Sequence, residues 1–297
     1  LNAIGFAGEM LVSTVSGGVM HVADVAERPI YMVKSGPAMA PRAGIAYAEA
    51  EKLSTDVLVV DTGGTTFDAS LVRDGEVKFT RETWLGALFY GHNLGLSSVD
   101  VRSVGAGGGS LAWIDSGGLL RVGPGSAGAV PGPACYGRGG IEPTVTDAAV
   151  VLGYIDPDHF LDGRMPLDVE AARVAVGGIA AVLDLALDEA AFSILRIASE
   201  SMIKAIEEIT VNEGVNPRDS ILVAGGGAAG LNILPIAEAL GCRQVLLPKT
   251  AGVLSACGAQ YSDVVAEFSA SQYVRTDHWN SELVAGTLAD LEGQIEN

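Results

Sequence analysis

The sequence is short of cysteine, of positive charge and of long apolar runs, and each shortage removes a class of function. Its three cysteines, Cys135, Cys242 and Cys257, are scattered, with no Cys-x-x-Cys pair and no Cys/His cluster. Structural zinc is therefore not expected, and a reducing, cytoplasmic setting is. Eighteen Lys plus Arg stand against 36 acids, a net charge of −18. That balance argues against nucleic acid or an anionic membrane as partner. No stretch approaches the roughly eighteen uninterrupted apolar residues of a membrane span, and no signal peptide is evident, so a chain in solution is expected. What is present is 297 residues, 48% of them hydrophobic. That suffices for a sizeable core in one large domain or two small ones.

The most informative stretch runs from Val57 to Val77. The apolar run Val57–Val60 reads as a buried strand, Asp61 to Thr65 as a glycine turn, Thr66 to Val72 as a second strand, and Asp74-Gly75 as a hairpin turn into a third. Between Asp61 and Asp68 stand two acids, two glycines and three threonines in eight residues. Gly63 and Gly64 leave room for backbone N–H groups to face an anion, and the hydroxyls of Thr62, Thr65 and Thr66 can donate to phosphate oxygens. Asp61 and Asp68 would repel a bare phosphate, so they make sense with a divalent cation or as water-positioning groups. The plainer alternative is an ordinary Asp-Gly hairpin turn. An anionic nucleotide would have to be held here by backbone amides and a metal ion, against the overall negative charge.

Upstream, Ser16-Gly17-Gly18 is a turn, His21 to Ala26 a helical turn, Ile30 to Val33 a short strand, and Met39 to Lys52 a helix with small residues at Ala43, Ala46 and Ala50. Downstream, Glu76 to Thr80 completes a three-stranded meander. Val99 to Val104 leads into the glycine loop Gly105–Ser110, followed by a hairpin, Leu111–Asp115 with Leu119–Val122. The Gly105–Ser110 loop can cradle a phosphate or substrate oxygen through Gly107, Gly108 and Ser110, or be a flexible connector. In the Gly/Pro-rich run that follows, Cys135 reads as a small buried thiol rather than a nucleophile. Arg138 is open to an anion contact or to an ion pair with Glu142 or Asp147. Thr146 or Asp147 caps a short helix, and Asp168 caps one over 169–183. A longer helix over 189–213 places Phe192, Leu195, Ala198, Met202, Ile206 and Ile209 on one face. Ile221 to Ala224 is a buried strand entering Gly225-Gly226-Gly227 and another helix, an order that suits a nucleotide site. Gln244–Leu247 is a last strand, and Gly252–Gln260 and the tail after Ser269 read as helical.

These motifs, in order, resemble those of a known family. The Asp61–Asp68 segment resembles a phosphate loop of the actin, sugar kinase and heat-shock chaperone ATPase superfamily. With Ser16–Met20, Ser35-Gly-Pro-Ala38, Val104–Ser110, Ser126–Gly140, Pro143–Asp147 and Gly252–Ala256, the chain resembles the hydantoinase A, 5-oxoprolinase and acetone/acetophenone carboxylase family over nearly its whole length. The resemblance implies an α/β, actin-like ATPase (ribonuclease H-like) lobe with a mixed sheet, flanking helices and a Gly/Pro-rich family-specific insertion. It divides the chain into an incoming segment and first crossing helix over 1–54, a nucleotide-binding second lobe over 55–268 with the insertion at about 83–187, and the start of a C-terminal region over 269–297.

By that resemblance Asp61 and Asp68 would hold a magnesium ion and orient the attacking oxygen, Thr62, Gly63, Gly64, Thr65 and Thr66 would bind the phosphates of ATP, and Gly225, Gly226 and Gly227 the adenosine. Arg102, Gly107, Gly108, Ser110 and Arg138 are the candidates for substrate contact. The sequence departs from the family at Met39 and Ala40, where glycines are expected, at Ala229–Asn232 in place of Gly-Pro-x-His, and at Arg102 in place of His. Arg102 could take a carboxylate or bicarbonate, which tilts the reading toward a ketone carboxylase, or form a surface ion pair. No second Asp-x-Gly-Gly-Thr segment is found, so a first ATPase lobe, upstream or on a separate chain, and further hetero-oligomer subunits are expected. Alone, this chain should bind nucleotide weakly and not turn over. The implied function is ATP-dependent activation of a carbonyl, amide, enolate or bicarbonate oxygen of a small molecule. A cyclic-amide hydrolase, a sugar or carboxylate kinase, and a non-catalytic structural lobe are the alternatives.

Overall fold

The computed structural model describes residues 2–86 and 90–296; residues 87–89 of the expected insertion lie outside them. At its centre lies β1 (Val57–Thr62), whose Val57, Leu58, Val59 and Val60 are all buried. A strand covered on both faces needs an unbroken apolar run, which is what these four residues supply. β2 (Phe67–Arg73) returns antiparallel to β1, and β3 (Val101–Val104) lies antiparallel on β2. On the other side of β1, β6 (Ile221–Gly225) and β7 (Val245–Leu246) run parallel, giving the mixed order β3-β2-β1-β6-β7.

Alternation along β1 divides the core. Val57 and Val59 pack with Val223 of β6 against α1 (Ser35–Ala50) and Leu254 of α6 (Leu254–Gln260). Leu58 and Val60 pack with Phe67 and Leu71 against α4 (Leu187–Ile209) and α5 (Ala229–Leu240). A separate cluster gathers the hairpin β4 (Ser110–Ile114) and β5 (Leu120–Ser126) with α2 (Val145–Val151), α3 (Val169–Leu183) and the first half of α4. At 23 residues, α4 is about 35 Å long. It joins the two clusters: Ile194 and Ala198 serve the hairpin side, Met202 and Ile206 the sheet. The tail carries α7 (Ser281–Glu296).

Several expectations are corrected. The segment expected as a strand at Ile30–Val33 is a 3-10 turn, Pro29–Met32, with Pro at its first position fixing the backbone. The meander stops at Val77, and Phe79–Thr80 pairs with Ser98–Val99 instead. Phe192 is 54% exposed; Ala190, Ala191 and Ile194 fill the core at that end of α4. The cap of α2 is Thr144, with Asp147 completing a capping box at the third helical position.

Helices α1 and α6 cross with their backbones in contact. A Cβ added at Gly258 would lie 2.0 Å from the Met39 carbonyl oxygen. The glycine that permits this approach is therefore on α6, which is why Met39 and Ala40 can replace glycines on α1. Gly258→Ala should destabilise the chain by about 1–3 kcal/mol through overpacking against backbone that cannot move aside, measured by urea unfolding.

Candidate nucleotide site

The strand register builds the site. Asp61 and Asp68 stand directly opposite each other across β1 and β2, and Gly225 of β6 is level with Asp61. Between the two acids the N–H of Gly63 donates to the Thr66 carbonyl at 2.9 Å, closing the turn. Thr62 is buried, while Gly64, Thr65 and Thr66 are exposed. Behind this turn lies the second glycine loop. The N–H groups of Gly108 and Gly109 donate to the carbonyls of Gly63 (3.1 Å) and Gly64 (2.6 Å). Only glycine fits at 107, where a Cβ would come within 2.6 Å of the Gly63 oxygen. The loop's carbonyls are thus tied back, whereas the amides of Gly64 and Thr65 meet no protein acceptor among the described residues. A loop so polarised presents donors to an anion.

Both carboxylates are raised in pKa. For Asp61 burial is the main cause, with the charge of Asp68 adding to it and a hydrogen bond from the Ser255 hydroxyl (3.3 Å) opposing it. For Asp68 burial again leads, opposed by the donating Ser103 hydroxyl and the positive charge of Lys34. Two facing acids that resist ionisation are relieved by a cation placed between them.

The glycine turn after β6 touches the same loop. Gly226 has φ +91° and its Cβ would fall 2.1 Å from the Thr62 oxygen. Its N–H donates to Ala251, and the N–H of Ala228 donates to Thr62. Gly225 packs on Leu254, and Gly227 is open. Gly226→Ala would combine a disfavoured φ with a backbone clash. It should displace the turn and weaken nucleotide binding at least about tenfold, read by calorimetric titration.

Beside these loops opens a cavity of about 1020 Å³. Gly64, Thr65, Gly108 and Gly109 line one part and Gly227, Ala228, Leu231 and Leu234 another, while Tyr136, Tyr154 and Phe160, with the aliphatic Ile155, supply an apolar wall and Asp156 and His159 polar groups.

Of the residues expected to contact substrate, Gly108 lines this cavity and Arg102, Gly107, Ser110 and Arg138 do not. Arg102 pairs with Ala69 on β2 while its neighbour Ser103 pairs with Asp68, so Arg102 takes the opposite face of the sheet. Its guanidinium lies 3.6 Å from Asp100. Arg102→Ala should therefore leave nucleotide binding within about twofold in a titration. Arg138 is exposed and directs Nη2 to the Met165 sulfur at 3.4 Å, pairing with neither Glu142 nor Asp147. The Gly107 amide donates to the buried Ser110 hydroxyl, so both groups brace their own loop. Gly108 lines the cavity, with its N–H and carbonyl engaged. Cys135 is fully buried, and burial with the nearby Asp147 charge pushes its thiol far above the usual range, so it is an inert thiol.

Ser103, Ser255 and Lys34 were not among the sequence candidates. For Ser103 the signal was present, since alternation along 101–104 puts 103 on the face of Asp68. Ser255 and Lys34 are brought in by tertiary packing alone.

The chain and its fold have relatives. The profile of the family described as Hydantoinase/oxoprolinase matches residues 1–268. The caprolactamase subunit alpha of Pseudomonas jessenii is 40% identical over 250 residues, 84% of this chain and 35% of its own length. The acetophenone carboxylase gamma subunit of Aromatoleum aromaticum is 38% identical over 279 residues, 92% of this chain and 36% of its own. A nucleotide-free structure of acetone carboxylase, from work on ATP-dependent acetone carboxylation, superimposes with a TM-score of 0.79 at 27% identity, over 88% of this chain and 36% of that one. The chain thus spans about a third of the length of these relatives, and its fold is that of their ATPase-like lobe. It belongs to the hydantoinase/oxoprolinase family.

Proposed function

We propose that this chain is the nucleotide-binding second lobe of an ATP-dependent hydrolase or carboxylase. The observation that carries the reading is the pair Asp61 and Asp68, level with each other at the two ends of a turn whose amides face outward and whose carbonyls are tied back. The names of relatives, a caprolactamase and two ketone carboxylases, support ATP-driven activation of a carbonyl, amide, enolate or bicarbonate oxygen.

Among the described residues no group of three or more His, Cys, Asp or Glu side chains could hold a metal. Two carboxylates suit magnesium, which keeps several waters and completes its shell with substrate phosphates. Asp61 and Asp68, buried enough to resist ionisation and facing one another, fit that role. When bound, the ion would neutralise charge on the transferring phosphate. The chain's own part is positioning: Gly64 and Thr65 amides and the Thr65 and Thr66 hydroxyls bind phosphate, and Ser103 and Ser255 orient the two carboxylates. Gly225 and Gly226 set the turn that borders the site, and Gly227 opens the cavity to the adenosine. Phosphoryl transfer is stabilised mainly by such placement and electrostatics, so no covalent nucleophile is required. A first lobe, on the same polypeptide or another, would close the other side, and further subunits would bring the small-molecule substrate.

Arg102, on the far face of the sheet, gives no preference between carboxylation and cyclic-amide hydrolysis. The test is calorimetric titration of magnesium-ATP, with and without the completing lobe, repeated on Asp61→Ala. Binding that is tight only with that lobe and lost in Asp61→Ala supports the reading, and justifies comparing ketones plus bicarbonate with lactams, hydantoins and oxoproline. A stable phosphorylated product would favour a kinase. Absence of binding in both states would leave a structural lobe.

A further inference from the structure

Thr146 is buried at the second position of α2, yet it does not cap that helix, because Thr144 and Asp147 do. Its N–H (2.7 Å) and its hydroxyl (2.8 Å) instead both donate to one acceptor, the Gly108 carbonyl. Gly108 and Gly109 in turn donate to the carbonyls of Gly63 and Gly64. The start of α2 is itself fixed, since the Asp147 carboxylate accepts from the amides of Ala134, Cys135 and Thr144. A continuous chain of hydrogen bonds therefore leads from a rigid helix start to the back of the turn between Asp61 and Asp68.

We infer that Thr146 is a positioning residue for the phosphate loop. Holding Gly108 from both its amide and its hydroxyl keeps the Gly63 and Gly64 carbonyls turned away from the anion side. If the Gly107–Gly109 strap loosens, those carbonyls become free to face the phosphates, and the loop loses its polarity. Thr146 also borders the cavity, but the effect runs through Gly108, so it should concern phosphate recognition and not the nucleoside. The inference rests on the nucleotide reading given above.

The experiment compares Thr146→Val, Thr146→Ala and Thr146→Ser in the complete protein. Hydrogen exchange of the peptide spanning residues 105–110 is measured without nucleotide, and ATP, ADP and adenosine are titrated separately. Loss of one buried hydroxyl donor should speed exchange of the Gly108 and Gly109 amides by about tenfold in Val and Ala and weaken ATP and ADP by a similar factor. Adenosine should stay within about twofold, and Ser should restore both readouts. Unchanged exchange in a folded Val or Ala variant would overturn the inference. So would equal losses for adenosine and ATP, or a Ser variant as impaired as Ala. If the wild-type protein binds no nucleotide at all, the functional reading fails, and the exchange measurement still decides whether Thr146 holds the loop.

Discussion

On the proposed reading, and with the completing lobe present, Asp61→Asn should lower ATP turnover by about 10²–10⁴-fold while raising the melting temperature of the metal-free protein at pH 7. The first effect follows from position. Asp61 is the one charged side chain of β1, level with Asp68 and held by Ser255, and an amide cannot supply its charge. The second follows from the sign of the pKa shift. Burial and the facing Asp68 raise the Asp61 carboxyl pKa in the folded chain. A carboxyl whose pKa is raised on folding costs stability when ionised, above its unfolded value near 4. That cost is removed as pH falls through the folded-state pKa. The variant's advantage in melting temperature should therefore be present at pH 7 in EDTA and vanish as the pH approaches about 4. Magnesium with ATP should stabilise the wild type and not the variant. A variant that melts lower than wild type at pH 7, or that keeps more than a tenth of the turnover, would remove Asp61 from the metal and phosphate site.

Asp147→Ala should cost at least about 3 kcal/mol of stability, because three buried amides would be left without an acceptor at about 1–3 kcal/mol each. The carboxylate has no solvent exposure. It takes the amides of Ala134, Cys135 and Thr144 and the Thr144 hydroxyl, at 2.8–3.1 Å. It thus staples the loop around Cys135 to the start of α2, two segments that share few other polar contacts. Against a typical domain stability of about 5–15 kcal/mol, this loss is a large share of the total. Asp147→Asn keeps one oxygen acceptor and should fall between. Urea unfolding read through the far-ultraviolet signal distinguishes the cases, and a loss below about 1 kcal/mol in the alanine variant would show that water replaces the carboxylate.

The local chemistry of the site was legible in the chain itself. An apolar run, two acids flanking a Gly-Gly turn, and an Asp-Gly hairpin determine β1, the turn and β2, because strand periodicity and turn chemistry act over a few residues. Once the hairpin register is set, Asp61 must face Asp68. The helix after Asp168 and the strand into Gly225 were equally local, each with its own cap or turn.

Tertiary structure decided what distant segments do to one another. Whether Gly107 and Ser110 touch substrate or brace a loop depends on which carbonyls their neighbours meet, and the partners of Gly108 and Gly109 lie more than forty residues upstream. Whether Arg102 meets a carboxylate or forms an ion pair was open in its chemistry; one step of strand alternation puts it across the sheet beside Asp100. Ser255 reaches Asp61 from 194 residues away, because Gly258 lets α6 lie against α1. The sequence by itself determined the turn between Asp61 and Asp68 and the family to which the chain belongs. Only packing decided which residues hold that turn in place, since hydrogen-bond partners across a fold are fixed by geometry that no single segment encodes.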